Sequence, residues 1–323
     1  MVHRTEGMKQ KISQFLFIMG CAVFLLRVLF PGEYKDAHAQ DRIVSAVDWN
    51  DDHSGTGYFV RWKGMTFNTK YHPYAPRMLE EHALDVLEYK EAPPNETNFW
   101  CPQNVQVDAE DDELQLVMRR FGPTWEGEPV WSCAEAVLEQ ELHYGKYSVT
   151  VKSYGFQEAD GRPADPDPWG SLFDEQNTVL GIFTYDTNVD WDMDNPYGEI
   201  DVIEIFGAVH SIPQVGNAQF VVQPYNAKPE NLKRVTLPKP ESGLLTFEMD
   251  WRKESVTYTV RDGGRTVARH TYKDPWYIPI PNDTLRLHIN LWVFGGPMDA
   301  RPKRVGITDI RIEQYENPSV DLP

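Results

Sequence analysis

Cysteine is scarce in this 323-residue chain: Cys21, Cys101 and Cys133 are all there is. No His/Cys cluster has ligand spacing, which excludes a structural zinc site. Cys101 and Cys133 suffice for one bridge in an oxidising compartment, or for two separate buried thiols. Positive charge is also short, with 31 Lys and Arg against 49 Asp and Glu and a net charge of −18. Such a surface repels phosphate backbones, so nucleic acid is not the expected partner, whereas neutral polysaccharide is compatible with it. No repeat of fixed period occurs, and no alternation of strand and helix periods suggests a parallel βαβ order.

Only one long apolar run is present, at 12–30. Arg4, Lys9 and Lys11 precede it; Pro31, Gly32 and the small-residue site Ala37-His38-Ala39 follow. These are the parts of an export signal. At about nineteen residues the run also suits an uncleaved membrane anchor, although Arg27 interrupts it. Residues 1–39 are therefore read as a signal peptide or anchor. The product is expected to be exported, extracellular or periplasmic, or else tethered to the membrane.

Residues 40–323 are long enough for one large all-β domain. Gly 22, Pro 24 and 12% aromatics suit many short strands joined by tight turns. Alternating runs such as GYFVRWKGMTF, TVLGIFTYDT and NAQFVVQPYN read as strands, and NVQVDAEDDELQLVMRRFG reads as a hairpin with strands at 104–107 and 113–119. Met78, Leu79, His82, Ala83, Val86 and Leu87 fall at helical spacing, which predicts a short helix within 76–90. The proline-rich GRPADPDPWG at 161–170 reads as a surface loop. Its Trp169 either stacks on a sugar or anchors the loop.

The most informative stretch is YGEIDVIEIFG, in which Glu199, Asp201 and Glu204 interrupt an apolar strand. Three carboxylates in a buried strand need a reason, because burying even one is costly. Period two puts Glu199 and Asp201 on one face and Glu204 on the other. A single β-bulge at Val202 and Ile203 would turn Glu204 back onto the shared face. About four regular steps then separate the Glu199 and Glu204 Cα atoms by roughly 13 Å, and converging side chains would bring the carboxyls to roughly 5 Å, the spacing of a retaining glycosidase.

The pattern Glu-x-Asp-x-x-Glu resembles the bulged signature of glycoside hydrolase family 16, in its laminarinase-like and agarase-like form. HYGKYSVTVKSYG, LLTFEMDWRKESVTYTVRDGG, LHINLWVFGG and GITDIRIEQYE are similar to further family strands, in family order over about 170 residues. The resemblance implies a jelly-roll sandwich of two antiparallel sheets, one curved around a substrate groove. It implies hydrolysis of a β-linked polysaccharide by a monomer without an organic cofactor, with Glu199 as nucleophile, Glu204 as acid and base, and Asp201 tuning Glu199. The two outer roles require an ionised Glu199 beside a protonated Glu204. Trp131, Tyr185, Trp191, Tyr225 and Trp292 are candidate sugar platforms; Gln223 and Asn290 are candidate hydroxyl partners. Asp309 stands where family members hold a structural calcium, although calcium wants six to eight oxygens. Leu245, in place of a family His, and Asn195-Pro196-Tyr197, in place of Trp-Pro, depart from the pattern and leave the glycan open. A transglycosylase and a lectin-like binding protein are the alternatives.

Overall fold

Alternation builds the sheets. Across Leu244–Arg252, Leu245, Phe247, Met249 and Trp251 are buried while Thr246, Glu248 and Asp250 face outward, the pattern of a strand with one face on a core. The computed structural model describes residues 59–68, 98–100, 102–123, 129–158, 166–175, 177–186, 195, 197–206, 216–293 and 301–315. The export or anchor segment, the helix expected within 76–90, Cys101 and Trp191 lie outside them.

The strands in chain order are β1 (Phe59–Trp62), β2 (Met65–Asn68), β3 (Asn98–Trp100), β4 (Val105–Asp108), β5 (Glu113–Pro123), β6 (Pro129–Leu138), β7 (Gly145–Phe156) and β8 (Thr178–Tyr185). They continue as β9 (Ile200–Ile205), β10 (Ala218–Val222), β11 (Leu232–Val235), β12 (Leu244–Arg252), β13 (Ser255–Asp262), β14 (Arg265–Tyr272), β15 (Arg286–Val293) and β16 (Lys303–Gln314). One short helix, α1 (Gly170–Phe173), lies between β7 and β8.

An antiparallel hydrogen-bonded path runs β11-β10-β9-β8-β15-β6-β5-β16-β7-β12-β13-β14. Its two halves fold face to face across the core. Phe220 of β10 stacks on Tyr258 of β13 with ring centroids 4.9 Å apart, and the Tyr258 hydroxyl donates to the Val221 carbonyl at 3.0 Å. The result is the expected all-β sandwich with jelly-roll crossovers. Trp169 is the loop anchor: it is buried, stacks on Phe173 of α1 at 5.2 Å and donates its indole N–H to the Gly243 carbonyl. Leu245 is wholly inside the core, so that departure from the family pattern is a packing position and not a groove contact.

Candidate active site

The register of β9 against both neighbours locates the bulge. Along β10, Gln219 opposes Glu204 and Val221 opposes Asp201, so Val202 and Ile203 together face one residue. Along β8, Gly181 opposes Glu204, Ile182 opposes Ile203 and Phe183 opposes Asp201, with the same shift between. Two residues against one is a β-bulge, and it flips the parity of everything beyond it. Ile200, Ile203 and Ile205 are buried toward the core. Glu199, Asp201 and Glu204 therefore share the opposite face with Phe183 and Gly181 of β8, Gln219 of β10, and His288 and Asn290 of β15.

The chain on either side of Glu199 is fixed by Asn195, which is itself buried. Its side-chain oxygen accepts from the Glu199 N–H at 3.0 Å, and its amide nitrogen donates to the carbonyls of Glu199 and Tyr277, each at 3.0 Å. One amide thus holds both backbone groups of Glu199. Across the strand the Gln223 N–H donates to the same Glu199 carbonyl at 3.2 Å.

Two glutamines finish the polar shell. Gln219 donates through Nε2 to Glu204 Oε2 at 2.8 Å, and Gln223 donates through Nε2 to Asp201 Oδ2 at 3.3 Å. Burial pushes all three carboxyls up. Asp201 is held well above the usual range by burial and by the charges of Glu204 and Glu199, and it is hydrogen-bonded to Glu199. Glu199 is pushed up to about 8, first by burial and then by the charge of Glu204. Glu204 is also raised by burial, while the Gln219 hydrogen bond favours its charged form. Burial and the mutual repulsion of the three carboxyls together disfavour full ionisation of this face. The titration belongs to the trio as a unit.

The candidate sugar contacts divide. Gln223 is in the site, touching Asp201. Asn290 lies on the same face, where its side-chain oxygen accepts from the Gly181 N–H at 3.1 Å. Tyr225 is 56% exposed next to Gln223. Trp292 is half-buried against the core. Tyr185 is covered by Tyr197, the two rings stacked at 5.5 Å. Trp131 is a core side chain beneath Lys303, where β6 turns to pair with β5, so it is no groove platform.

Asp309 does not fit a calcium site. It is ion-paired with Arg311 at 2.7 Å, Lys63 donates to the adjacent Thr308 carbonyl at 2.6 Å, and no group of three or more His, Cys, Asp or Glu that could hold a metal assembles among the described residues.

Three polar contributors escaped the sequence reading: Gln219, the Asn195 clamp and a buried Glu135–His288 pair, Oε1 to Nδ1 at 2.7 Å. His288 lies on the carboxylate face 5.1 Å from the Phe183 ring, and burial lowers it to about 3, so it is neutral. Gln219, Glu135 and His288 carry a signal, since QFVVQ, SCAEAVL and LHINLW each place a polar residue in an apolar strand; Asn195 lies in no such strand and carries none.

No family model and no curated relative matches the sequence. Solved structures do. The chain is similar in structure to family 16 glycoside hydrolases. SCLam, a non-specific endo-β-1,3(4)-glucanase from family GH16, is 18% identical over 70% of this chain and 82% of its own, with a TM-score of 0.46. The laminarinase from Rhodothermus marinus is 16% identical over 70% of this chain and 86% of its own, with a TM-score of 0.48. The kappa-carrageenase from Pseudoalteromonas carrageenovora, solved with an oligotetrasaccharide of kappa-carrageenan, is 15% identical over 67% and 84%, with a TM-score of 0.45.

Proposed function

We propose that this protein is an exported, retaining endo-glycosidase that hydrolyses a β-linked polysaccharide, a β-glucan or β-galactan. The observation that carries the reading is the bulge at Val202 and Ile203, which turns Glu204 onto the face of Glu199 and Asp201. In the first step a carboxylate oxygen of Glu199 bonds to the anomeric carbon as the glycosidic C–O bond breaks, and the leaving oxygen takes the proton of Glu204. In the second, water gives a proton to Glu204 and displaces the ester, returning Glu199 as a carboxylate. The hydrogen bond from Asp201 stabilises Glu199 each time it carries charge.

The first step requires an ionised Glu199 and a protonated Glu204, and positive charge growing at the anomeric carbon beside Glu199 favours that arrangement.

The test is to incubate the wild type and Glu199→Gln with laminarin, mixed-linkage β-glucan, agarose and kappa-carrageenan, sizing products by mass and reading the first-formed anomer by NMR. Cleavage by the wild type alone, releasing the β-anomer first, is the expected result. First release of the α-anomer, or undiminished cleavage by the variant, refutes the mechanism. Products longer than the input would assign the same carboxylates to glycosyl transfer.

A further inference from the structure

The connection between β14 and β15 carries the run Pro275-Trp276-Tyr277-Ile278-Pro279-Ile280-Pro281. Its side chains divide. Ile278 is buried and the Tyr277 carbonyl accepts from the Asn195 amide at 3.0 Å, whereas Trp276 is 75% exposed and Ile280 65%. Among the described residues only Tyr225 is a further large apolar side chain standing in solvent.

The segment is fastened before anything covers it. Lys228 pairs with Asp274 and lies 5.1 Å from the Tyr277 ring, and an Asp274 carboxylate oxygen accepts from the Trp276 N–H at 3.2 Å. Three prolines fix φ, so Trp276 and Ile280 lose little chain entropy on being covered. The charge beside them runs against the rest of the chain. Ile280 shares a cleft with Pro275, Ile278, Lys253, Lys273 and Glu254. Both lysines are exposed without an ion-pair partner among the described residues, while Asp274 and Asp250 are taken by Lys228 and Arg252. Two open cations thus stand against one acid, Glu254, on a chain of net charge −18.

We propose that this segment is a membrane-docking surface, on which Trp276 and Ile280 enter the boundary layer of a bilayer while Lys253 and Lys273 meet anionic lipid headgroups. Exposed apolar patches with a polar rim mark contacts with a protein or a membrane. Chemistry and continuity favour the lipid. Indole suits the level of the headgroups, and a lysine near an anionic leaflet adds attraction that the net charge of the chain otherwise opposes. The same chain carries at 12–30 an apolar run long enough to lie in a bilayer. Tethered there, the surface meets lipid at high effective concentration, so an insertion too weak to hold the protein alone is sufficient to orient it. Because Asn195 joins Tyr277 to the Glu199 backbone, docking turns the Glu199 end of β9 toward the lipid. The inference goes beyond the glycosidase reading and does not depend on it.

The experiment uses the full chain with vesicles of phosphatidylcholine, alone or mixed with phosphatidylglycerol, each prepared with ordinary and with brominated acyl chains. Bromine quenches an indole that reaches the acyl region, and the difference between the wild type and Trp276→Phe isolates Trp276. On anionic vesicles the wild type is expected to show a quenched component that Trp276→Phe lacks. Neutral lipid, or Lys253→Gln together with Lys273→Gln, should cut that component at least about threefold, and Ile280→Asp should remove it. These lysine variants should turn over soluble polysaccharide at the wild-type rate without lipid, which separates loss of docking from failure of the glycosidase reading. If the chain binds vesicles but the wild type and Trp276→Phe are quenched alike, another segment holds it and the surface is refuted. Absence of any vesicle binding refutes it too. A dimer in sedimentation that Trp276→Ala dissolves, or retardation in a polysaccharide gel that Trp276→Ala removes, with no quenching by lipid, overturns it in favour of a second copy or of a glycan.

Discussion

Replacing Glu199 with Gln should stabilise the protein, and by an amount that grows with pH. The Glu199 carboxyl has a folded-state pKa of about 8 against an ordinary value of 4.5. Between those limits the unfolded chain has released this proton and the native chain still holds it. The native state binds more protons, so its stability falls as pH rises through the window. At 1.36 kcal/mol per unit, the penalty reaches about 3 kcal/mol at pH 7 and about 5 kcal/mol above pH 8. An uncharged amide of the same shape never pays it. For a domain of this size about 3 kcal/mol corresponds to roughly 6 to 12 °C in Tm at pH 7. Reversible urea unfolding of both proteins at half-unit steps from pH 4 to 8 reads the difference directly. The two curves should meet near pH 4 and diverge above pH 5. A difference that stays flat across the window would refute the claim that burial and the charge of Glu204 hold a proton on Glu199.

Three further outcomes follow from the same contacts. Gln219→Leu removes the donor that favours ionised Glu204, so the basic limb of the kcat/KM profile on the polysaccharide, where Glu204 loses its proton, should move to higher pH, whereas a limb left in place would dissociate Glu204 from catalysis. Asn195→Ala deletes three side-chain hydrogen bonds at a buried position; a loss of about 3 kcal/mol in urea unfolding and a fall in kcat of roughly tenfold are expected. In Gly181→Ala the new Cβ would stand 2.6 Å from the Asn290 side-chain oxygen, costing about 1 to 3 kcal/mol by displacing that acceptor from the Gly181 N–H.

Local chemistry made much of this site legible. Three acids in an apolar strand, with an odd offset between the second and third, require a bulge if they are to act together, and the register places it at Val202 and Ile203 as the parity argument demands. The strands of the hairpin at β4 and β5 and the alternation along β12 follow from period two in the same way. Parity says which residues share a face. It does not say what that face meets. Trp131 and Tyr225 are both aromatics near motif positions, yet one is buried under Lys303 and the other stands in solvent, because non-local neighbours decide that.

The proton arrangement belongs to the same class. The composition of YGEIDVIEIFG determines that three carboxyls compete for charge, since their spacing along one strand keeps them close whatever surrounds them. Which of them keeps a proton depends on groups distant in sequence, first through burial and then through partners such as Gln219, delivered to Glu204 by the pairing of β10. The chain alone determined the all-β class, the bulge and the three acids, all consequences of period-two geometry over a few residues. Tertiary structure decided the burial that raises all three carboxyls, the clamp of Asn195 on Glu199 and the exposed rings of Tyr225 and Trp276, because burial and hydrogen-bond partners come into being only when strands far apart in the chain lie side by side.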